Sequence, residues 1–427
     1  MTAPSSLGPD AAQHAAEPAA AGPRGRRWRG WAVPASWRER TDWVPVDTTL
    51  GQILRGLRWG AIAVYLGVAG YYGYNDGLPF DREGLLLWIA VGLAVCCIGR
   101  HPVWLLWVVI DFLPFALVLV VYDYLRGISD TIGMPTWWRP QIEVDRLLFF
   151  GYDPTVWLQA HLKHARYTGV RWYDIVVCVS YYSFFFLPYV MAGVMWLRSR
   201  TDFYRWSLRF VGLSFFAFAL FMVIPAAPPW AAAHCTPADV AGHPSYAPCM
   251  YQTGSQPADG LLGQFTTVQP GAHPWIERIA GDSFYKLHLG VAHGLWTKGF
   301  TSVDAVAAVP SLHLGGTVLF CIFMWTRLNK WWRPLLIGYP IVMMFSLAYS
   351  GEHYVADGIA GALAAWLIHW LANRIERWRK LRRSADTLED SAPPPDPTQE
   401  SSCPPTHPLP ATMPDLGLSP ETTPSST

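Results

Sequence analysis

Apolar residues gather into eight long runs separated by polar stretches, at residues 52–74, 84–99, 102–125, 172–197, 206–227, 309–326, 334–350 and 354–373. A lone helix needs roughly 20 apolar residues to cross a bilayer, and several of these runs fall short of that. In hydrocarbon the backbone must satisfy its own hydrogen bonds, so helix is the state these runs predict. The expected fold class is an all-α polytopic membrane protein with about eight transmembrane helices. Residues 1–25 are Ala/Pro/Gly-rich and residues 384–427 Pro/Ser/Thr-rich. Neither stretch shows apolar periodicity, and both read as disordered. No apolar stretch stands near the start, so no cleaved signal peptide is expected.

Charge supports the same picture. Hydrophobic residues make up 52% of the chain and charged residues only 15%, against about 25% charged in soluble domains. The 23 tryptophans and 19 tyrosines are the residues that favour the membrane–water interface. A net charge of +1 makes no electrostatic case for nucleic acid as a partner. The basic residues cluster before the first run (Arg24, Arg26, Arg27, Arg29) and between the second and third (Arg100). Further clusters lie between the fourth and fifth (Arg198, Arg200, Arg205), between the sixth and seventh (Arg327, Lys330, Arg333), and after the eighth from Arg374 to Arg383. Alternating loops place all of these on one side, which the positive-inside rule makes cytoplasmic, along with both termini. The plasma membrane is the expected location. The opposite face then carries the loops 127–170 and 228–305. Cys235 and Cys249 share the second of these, where a disulfide is a possible pairing. The cysteines in apolar runs, Cys96, Cys97, Cys178 and Cys321, read as buried thiols.

Two short motifs on that outer face carry candidate chemistry. Pro310-Ser311-Leu312-His313 opens the sixth run. Proline suits a first helical turn, Ser311 can cap its amides, and a helix N-terminus attracts anions, so His313 would stand beside a phosphate cradle. The plainer reading makes Ser311 only a cap and His313 an interfacial polar residue. Tyr349-Ser350-Gly351-Glu352-His353-Tyr354-Val355-Ala356-Asp357 opens the eighth run. Residues four apart share a helix face, so Asp357 can hold one ring nitrogen of His353 and leave the other nucleophilic. An ionisable pair at a membrane helix end is a functional-site hypothesis by default. His161 and His164 lack a third ligand at metal-site spacing. With Lys163 and Arg166 they read as an interfacial helix facing headgroups. No metal or other cofactor is expected.

The two His motifs resemble the second and third motifs of the type-2 phosphatidic acid phosphatase superfamily, with motif-level identity within roughly 305–361. The resemblance implies a six-helix catalytic bundle. It casts His353 as nucleophile, Asp357 as its orienter, and His313 as general acid and then base. Two departures stand out. Leu347, after Ser346, occupies the place of the usual third-motif arginine, and the Lys-x6-Arg-Pro motif is absent, since Ile132 stands where its lysine would precede Arg139-Pro140. These losses resemble the branch of aureobasidin-resistance inositol phosphorylceramide synthases, and sphingomyelin synthases too. The implied function is therefore a lipid phosphotransferase moving a phospho-headgroup between lipid alcohols. Expected partners are membrane lipids carrying phosphate, with a lipid or headgroup alcohol, or water, as acceptor. The alternatives are an outer-face phosphatase acting on phosphatidate or polyprenyl pyrophosphate and, from another class, a transporter or scaffold hinted at by Asp111, Asp174 and Pro188. Arg126, Ser311 and Tyr349 form the expected phosphate-binding set, ahead of Arg146, Arg139 and Lys298. Expected organisation is a cytoplasmic region 1–50, two accessory helices in 51–100, the catalytic membrane domain 101–380, and a tail 381–427.

Overall fold

The structure, a computed structural model, describes residues 43–45, 47–75, 82–126, 133–165, 169–245, 247–252, 254, 256–280 and 306–391. All eight apolar runs are helices: α1 (Thr49–Asn75), α2 (Arg82–Cys96), α3 (Val103–Arg126), α6 (Trp172–Arg198), α7 (Arg200–Val223), α10 (Leu312–Met324), α11 (Arg333–Tyr349) and α12 (Val355–Ser391). Four of them, α3, α6, α7 and α12, contain stretches long and apolar enough to cross a membrane, and α2 and α10 are shorter apolar helices. Short helices α4 (Pro140–Leu148), α5 (Pro154–Leu162), α8 (Pro229–Ala232) and α9 (Pro237–Gly242) lie in the two long loops. No strand occurs among the described residues.

The described residues up to Asn373 form one compact unit and those from Arg374 a second. In the first, α6 packs on α7, α10 and α11, and α10 on α7 and α11. α3 packs against α7, α2 bridges α3 and α6, and α1 reaches the rest through α2. Ala364 and Ala365 of α12 enter the same core as Leu213 of α7 and Leu319 of α10. That core is unusually aromatic, built on Trp104, Phe115, Trp196, Phe203, Trp206 and Phe323. Large apolar side chains left exposed on the helices, such as Val109, Leu113, Val120 and Leu363, make the surface that hydrocarbon covers. In the second unit the described residues, 374–391, are helical.

The polar residues inside the spans are structural. Asp111 of α3 accepts hydrogen bonds from Trp196 Nε1 (2.7 Å), Arg200 (2.9 Å) and the Tyr204 hydroxyl (2.9 Å), tying three helices together at one end. Asp174 accepts from the Arg171 amide at the start of α6 and faces His164 at 3.3 Å. The Pro188 carbonyl accepts from Trp206 Nε1.

The described parts of the two long loops fold into a cap over the far end of the bundle. Its core joins Trp138, Ile142, Met250, Leu262, Phe265 and Ile276 around Cys235 and Cys249, which form a disulfide. Residues 137, 226 and 307 meet edgewise in two isolated bridges that hold the cap to the bundle end. The interfacial-helix reading is corrected here at Lys163 and His164, while Arg166 lies outside the described residues. Lys163 and His164 are buried, Lys163 against the Trp275 carbonyl and Glu277, and His164 against Asp174. A long loop with a core of its own makes internal partners available, and these win over headgroups.

Candidate active site

Two helix starts meet beneath the cap. Ser311 is the N-cap of α10, its hydroxyl accepting the Leu314 amide at 3.4 Å, and its own amide donates to the Asp357 carbonyl at 3.0 Å. α10 and α12 cross here almost backbone to backbone. A Cβ on Gly361 would stand 2.2 Å from the Ser311 carbonyl oxygen, and one on Gly315 would stand 2.9 Å from that of Gly361. Only glycine permits this approach. It brings His313 Nδ1 to 3.3 Å from His353 Nε2.

His353 is aimed by the turn between α11 and α12. Gly351 adopts φ +74°, the left-handed conformation that suits glycine. Its amide donates to the Ala348 carbonyl and that of Glu352 to the Leu347 carbonyl, a Schellman closure of α11. His353 therefore precedes the first turn of α12 and does not stack on Asp357 along a helix face. Asp357 reaches back from that turn, as in a capping box, to accept the Tyr354 amide at 2.9 Å, and its Oδ2 stands 3.5 Å from His353 Nδ1. Such contacts tighten when substrate binds. Asp357 is fully buried and His353 nearly so. Around His313 stand Phe184 (4.3 Å between centroids), Tyr181 (4.9 Å, stacked) and Phe185 (5.5 Å), all from α6.

The other expected site residues fall differently. Tyr349 packs with Tyr173, Val177 and Ile279, and its hydroxyl donates to the Leu162 carbonyl, so the structure uses it as packing and does not bring it to the imidazoles. Leu347 is wholly buried among Cys178, Tyr181, Tyr182 and Met343, an apolar setting with no room for a guanidinium. Arg126 ends α3, but its side chain lies outside the described residues, as does Lys298. Arg139 is the exposed N-cap of α4, and Arg146 lies within electrostatic range of Asp153. His161 bonds the Trp157 carbonyl while His164 faces Asp174. Among the described residues no group of three His, Cys, Asp or Glu side chains could hold a metal ion.

Three residues that sequence reading passed over complete the surroundings. Asp145 of α4 accepts the Val355 and Ala356 amides at 2.9 and 2.8 Å, capping α12 from 210 residues away. Burial raises its carboxyl to about 7, with Asp153 and Asp357 adding to the rise against the two amide bonds. Gln159 of α5 donates to the Glu277 and Tyr349 carbonyls and accepts the Glu277 amide, clamping residues 276–280 onto the turn. Arg278 then meets Glu352, the neighbour of His353, through two bonds, Nε to Oε1 at 2.8 Å and an Nη to Oε2 at 2.7 Å. These partners are far apart in the chain and carry no spacing signal.

Two imidazoles and a buried carboxylate thus meet at one end of a helical membrane bundle. The family model of the PAP2 superfamily matches residues 142–371, just over half of the chain, and the chain belongs to that superfamily. It is thereby a phosphotransferase or phosphatase. The phosphoinositol dihydroceramide synthase of Bacteroides thetaiotaomicron is 23% identical over 273 residues, covering 60% of this chain and 75% of that protein. No solved structure matches.

Proposed function

We propose that this protein transfers a phosphorylated headgroup, of the phosphoinositol kind, from a phospholipid to the hydroxyl of a second lipid through a phosphohistidine on His353. One observation carries the reading: His353 directs Nδ1 towards buried Asp357 and Nε2 towards His313. Asp357 holds the proton on Nδ1, so the lone pair of Nε2 attacks phosphorus. The N–P bond forms as the bond from phosphorus to the donor lipid oxygen breaks, and protonated His313 gives that oxygen its proton. The acceptor hydroxyl then loses its proton to His313, its oxygen takes phosphorus, and the N–P bond breaks. Approaching phosphorus has to displace the resting contact between the imidazoles.

The headgroup class rests on the likeness to the Bacteroides phosphoinositol dihydroceramide synthase and on Leu347 standing where related phosphatases carry arginine. The topology belongs to the same proposal. The basic α6–α7 and α10–α11 junctions lie at the ends opposite the His motifs, which favours cytoplasmic termini and an outward-facing site in the plasma membrane. The disulfide in the cap fits an oxidising compartment. The division into two accessory helices in 51–100, a catalytic membrane domain 101–380 and terminal regions is part of the same proposal.

The test is radiolabel transfer from headgroup-labelled phosphatidylinositol to added ceramide by purified protein with EDTA present. Label in a new lipid is expected. Free inositol phosphate or phosphate as sole labelled product sinks the transferase and leaves hydrolysis. Label that stays in the donor across a panel of phospholipids refutes the phosphoryl chemistry.

A further inference from the structure

A site that handles phosphate anions needs a fixed cation, because phosphoryl transfer is mostly positioning and charge stabilisation. Here the surroundings are acidic, with Asp357, Asp145 and Asp153 all buried. The two positions where related enzymes carry basic residues hold Leu347 and Ile132. Of the outer-loop basic side chains described, Arg139 and Arg171 are exposed, Arg146 is half-buried within electrostatic range of Asp153, and Lys163 faces Glu277. Arg278 is the one tied to the residue beside His353.

The setting of Arg278 is built, not incidental. Gln159 fixes both backbone groups of Glu277, and the Ile279 amide donates to the Ser350 carbonyl at 3.2 Å, so the backbone is anchored on both sides. The guanidinium lies 4.8 Å from the Trp230 ring centroid, and the Trp230 amide donates to the Gly351 carbonyl. The ion pair is within electrostatic range of Tyr182, whose ring contacts Tyr181 and Phe185 of the wall around His313. Both partners are nearly buried, at 9% and 7% exposed. A buried ion pair is weak as a stability device, since desolvation offsets most of its attraction. Its geometry has another use: carboxylate and phosphate present the same two-oxygen fork to a guanidinium.

We infer that Arg278 is the phosphate-binding cation of this site, held ready by Glu352, and that Glu352 selects for phosphodiester donors. The inference rests on the proposed function. Two phosphate oxygens replace the Glu352 oxygens on the guanidinium. Glu352 stays close by, so a singly charged phosphodiester is accepted and a doubly charged phosphomonoester is repelled. The substrate class is thus a phosphodiester lipid, and phosphatidate is disfavoured.

The experiment uses full-length protein in detergent, with labelled phosphatidylinositol as donor, phosphatidate as competitor, and thermal stabilisation by orthovanadate as a readout independent of turnover. Arg278→Gln should raise the donor KM about tenfold or more with a smaller change in kcat, as loss of a charge-assisted pair predicts. It should also abolish the orthovanadate shift. Glu352→Gln loses the group that holds the guanidinium in place, so it should raise the donor KM, though by less than Arg278→Gln does, and should tighten inhibition by phosphatidate about tenfold, the scale of one removed like charge. Equal losses from both single variants, repaired in the Arg278→Met/Glu352→Met double variant, mean a purely structural pair and overturn the inference. Undiminished orthovanadate stabilisation of Arg278→Gln overturns it too, while leaving the histidine chemistry standing. Wild-type protein that is neither stabilised by orthovanadate nor active on any donor sinks the proposed function and the inference together.

Discussion

Replacing Gly361 with alanine tests whether the close crossing of α10 and α12 sets the distance between the two imidazoles. The added methyl would lie 2.2 Å from the Ser311 carbonyl oxygen, 3.1 Å from its carbon and 3.2 Å from the Gly315 nitrogen. Carbon–oxygen contacts in proteins settle near about 3.3 Å, so the helices have to part by about 1 Å. The obstacle is backbone, which cannot rotate aside. Separation also stretches the 3.0 Å bond from the Ser311 amide to the Asp357 carbonyl. Overpacking of this size costs about 1–3 kcal/mol of stability, whereas a 1 Å misplacement of reacting groups lowers rate about 100-fold. Turnover should therefore fall far more than folding. The assay is kcat for headgroup transfer at saturating donor, beside the thermal midpoint in the same detergent. Gly338→Ala is the control, with nothing within 4 Å of the new methyl. Gly358→Ala is intermediate: its nearest intruding atom, the Met344 sulfur at 2.3 Å, belongs to a flexible side chain. A folded Gly361→Ala protein that keeps more than about a third of wild-type kcat would show that the crossing does not set the reacting distance.

Four further outcomes are expected. His353→Ala should leave no turnover and His313→Ala should lose about 100-fold or more, the scale of one general acid; turnover by His353→Ala refutes the nucleophile. Asp357→Asn should lower kcat with little change in donor KM, since it disturbs ring orientation and not binding; a rise in KM alone would contradict that role. Asp145 titrates near 7 instead of 3.8, so its contribution to stability is complete below about pH 4 and is lost as pH rises to about 7. Asp145→Asn should gain on wild type across that window by up to about 4 kcal/mol and by a constant amount above it, read from urea unfolding at a series of pH values; a constant difference throughout would refute the buried-carboxyl account. Thiol reagents that cannot cross membranes should label Cys235 and Cys249 in intact cells only after reduction, and labelling that needs permeabilised cells would reverse the topology.

The helices were legible because hydropathy is a local signal, and so were the two His motifs, whose members lie close in sequence. Helix ends were less so. The fifth run was expected at 206–227, yet α7 begins at Arg200, because Ser199 caps it and its polar first turns resemble a loop. The eighth was expected to stop at 373, but α12 continues to Ser391 through a strongly basic segment that hydropathy does not register. Side-chain direction was not legible at all. Tyr349 sits in the motif yet faces Leu162, since the last turn of α11 points it at the cap. The contacts of Asp145, Gln159 and Arg278 span 74 to 211 residues, and nothing in a single sequence marks such pairs.

On the proposed chemistry, the single contact between His353 and His313 also dictates an order of events. One proton station serves both the departing and the arriving oxygen, so the two alcohols take turns at one place. The first lipid has to diffuse away before the second can dock, and the kinetics should be ping-pong. In the interval the phosphorylated ring is open to whichever hydroxyl arrives first, water included. Whether the enzyme builds a lipid or merely cuts one is then a race, and the aromatic wall of Tyr181, Phe184 and Phe185 handicaps water by keeping that place dry.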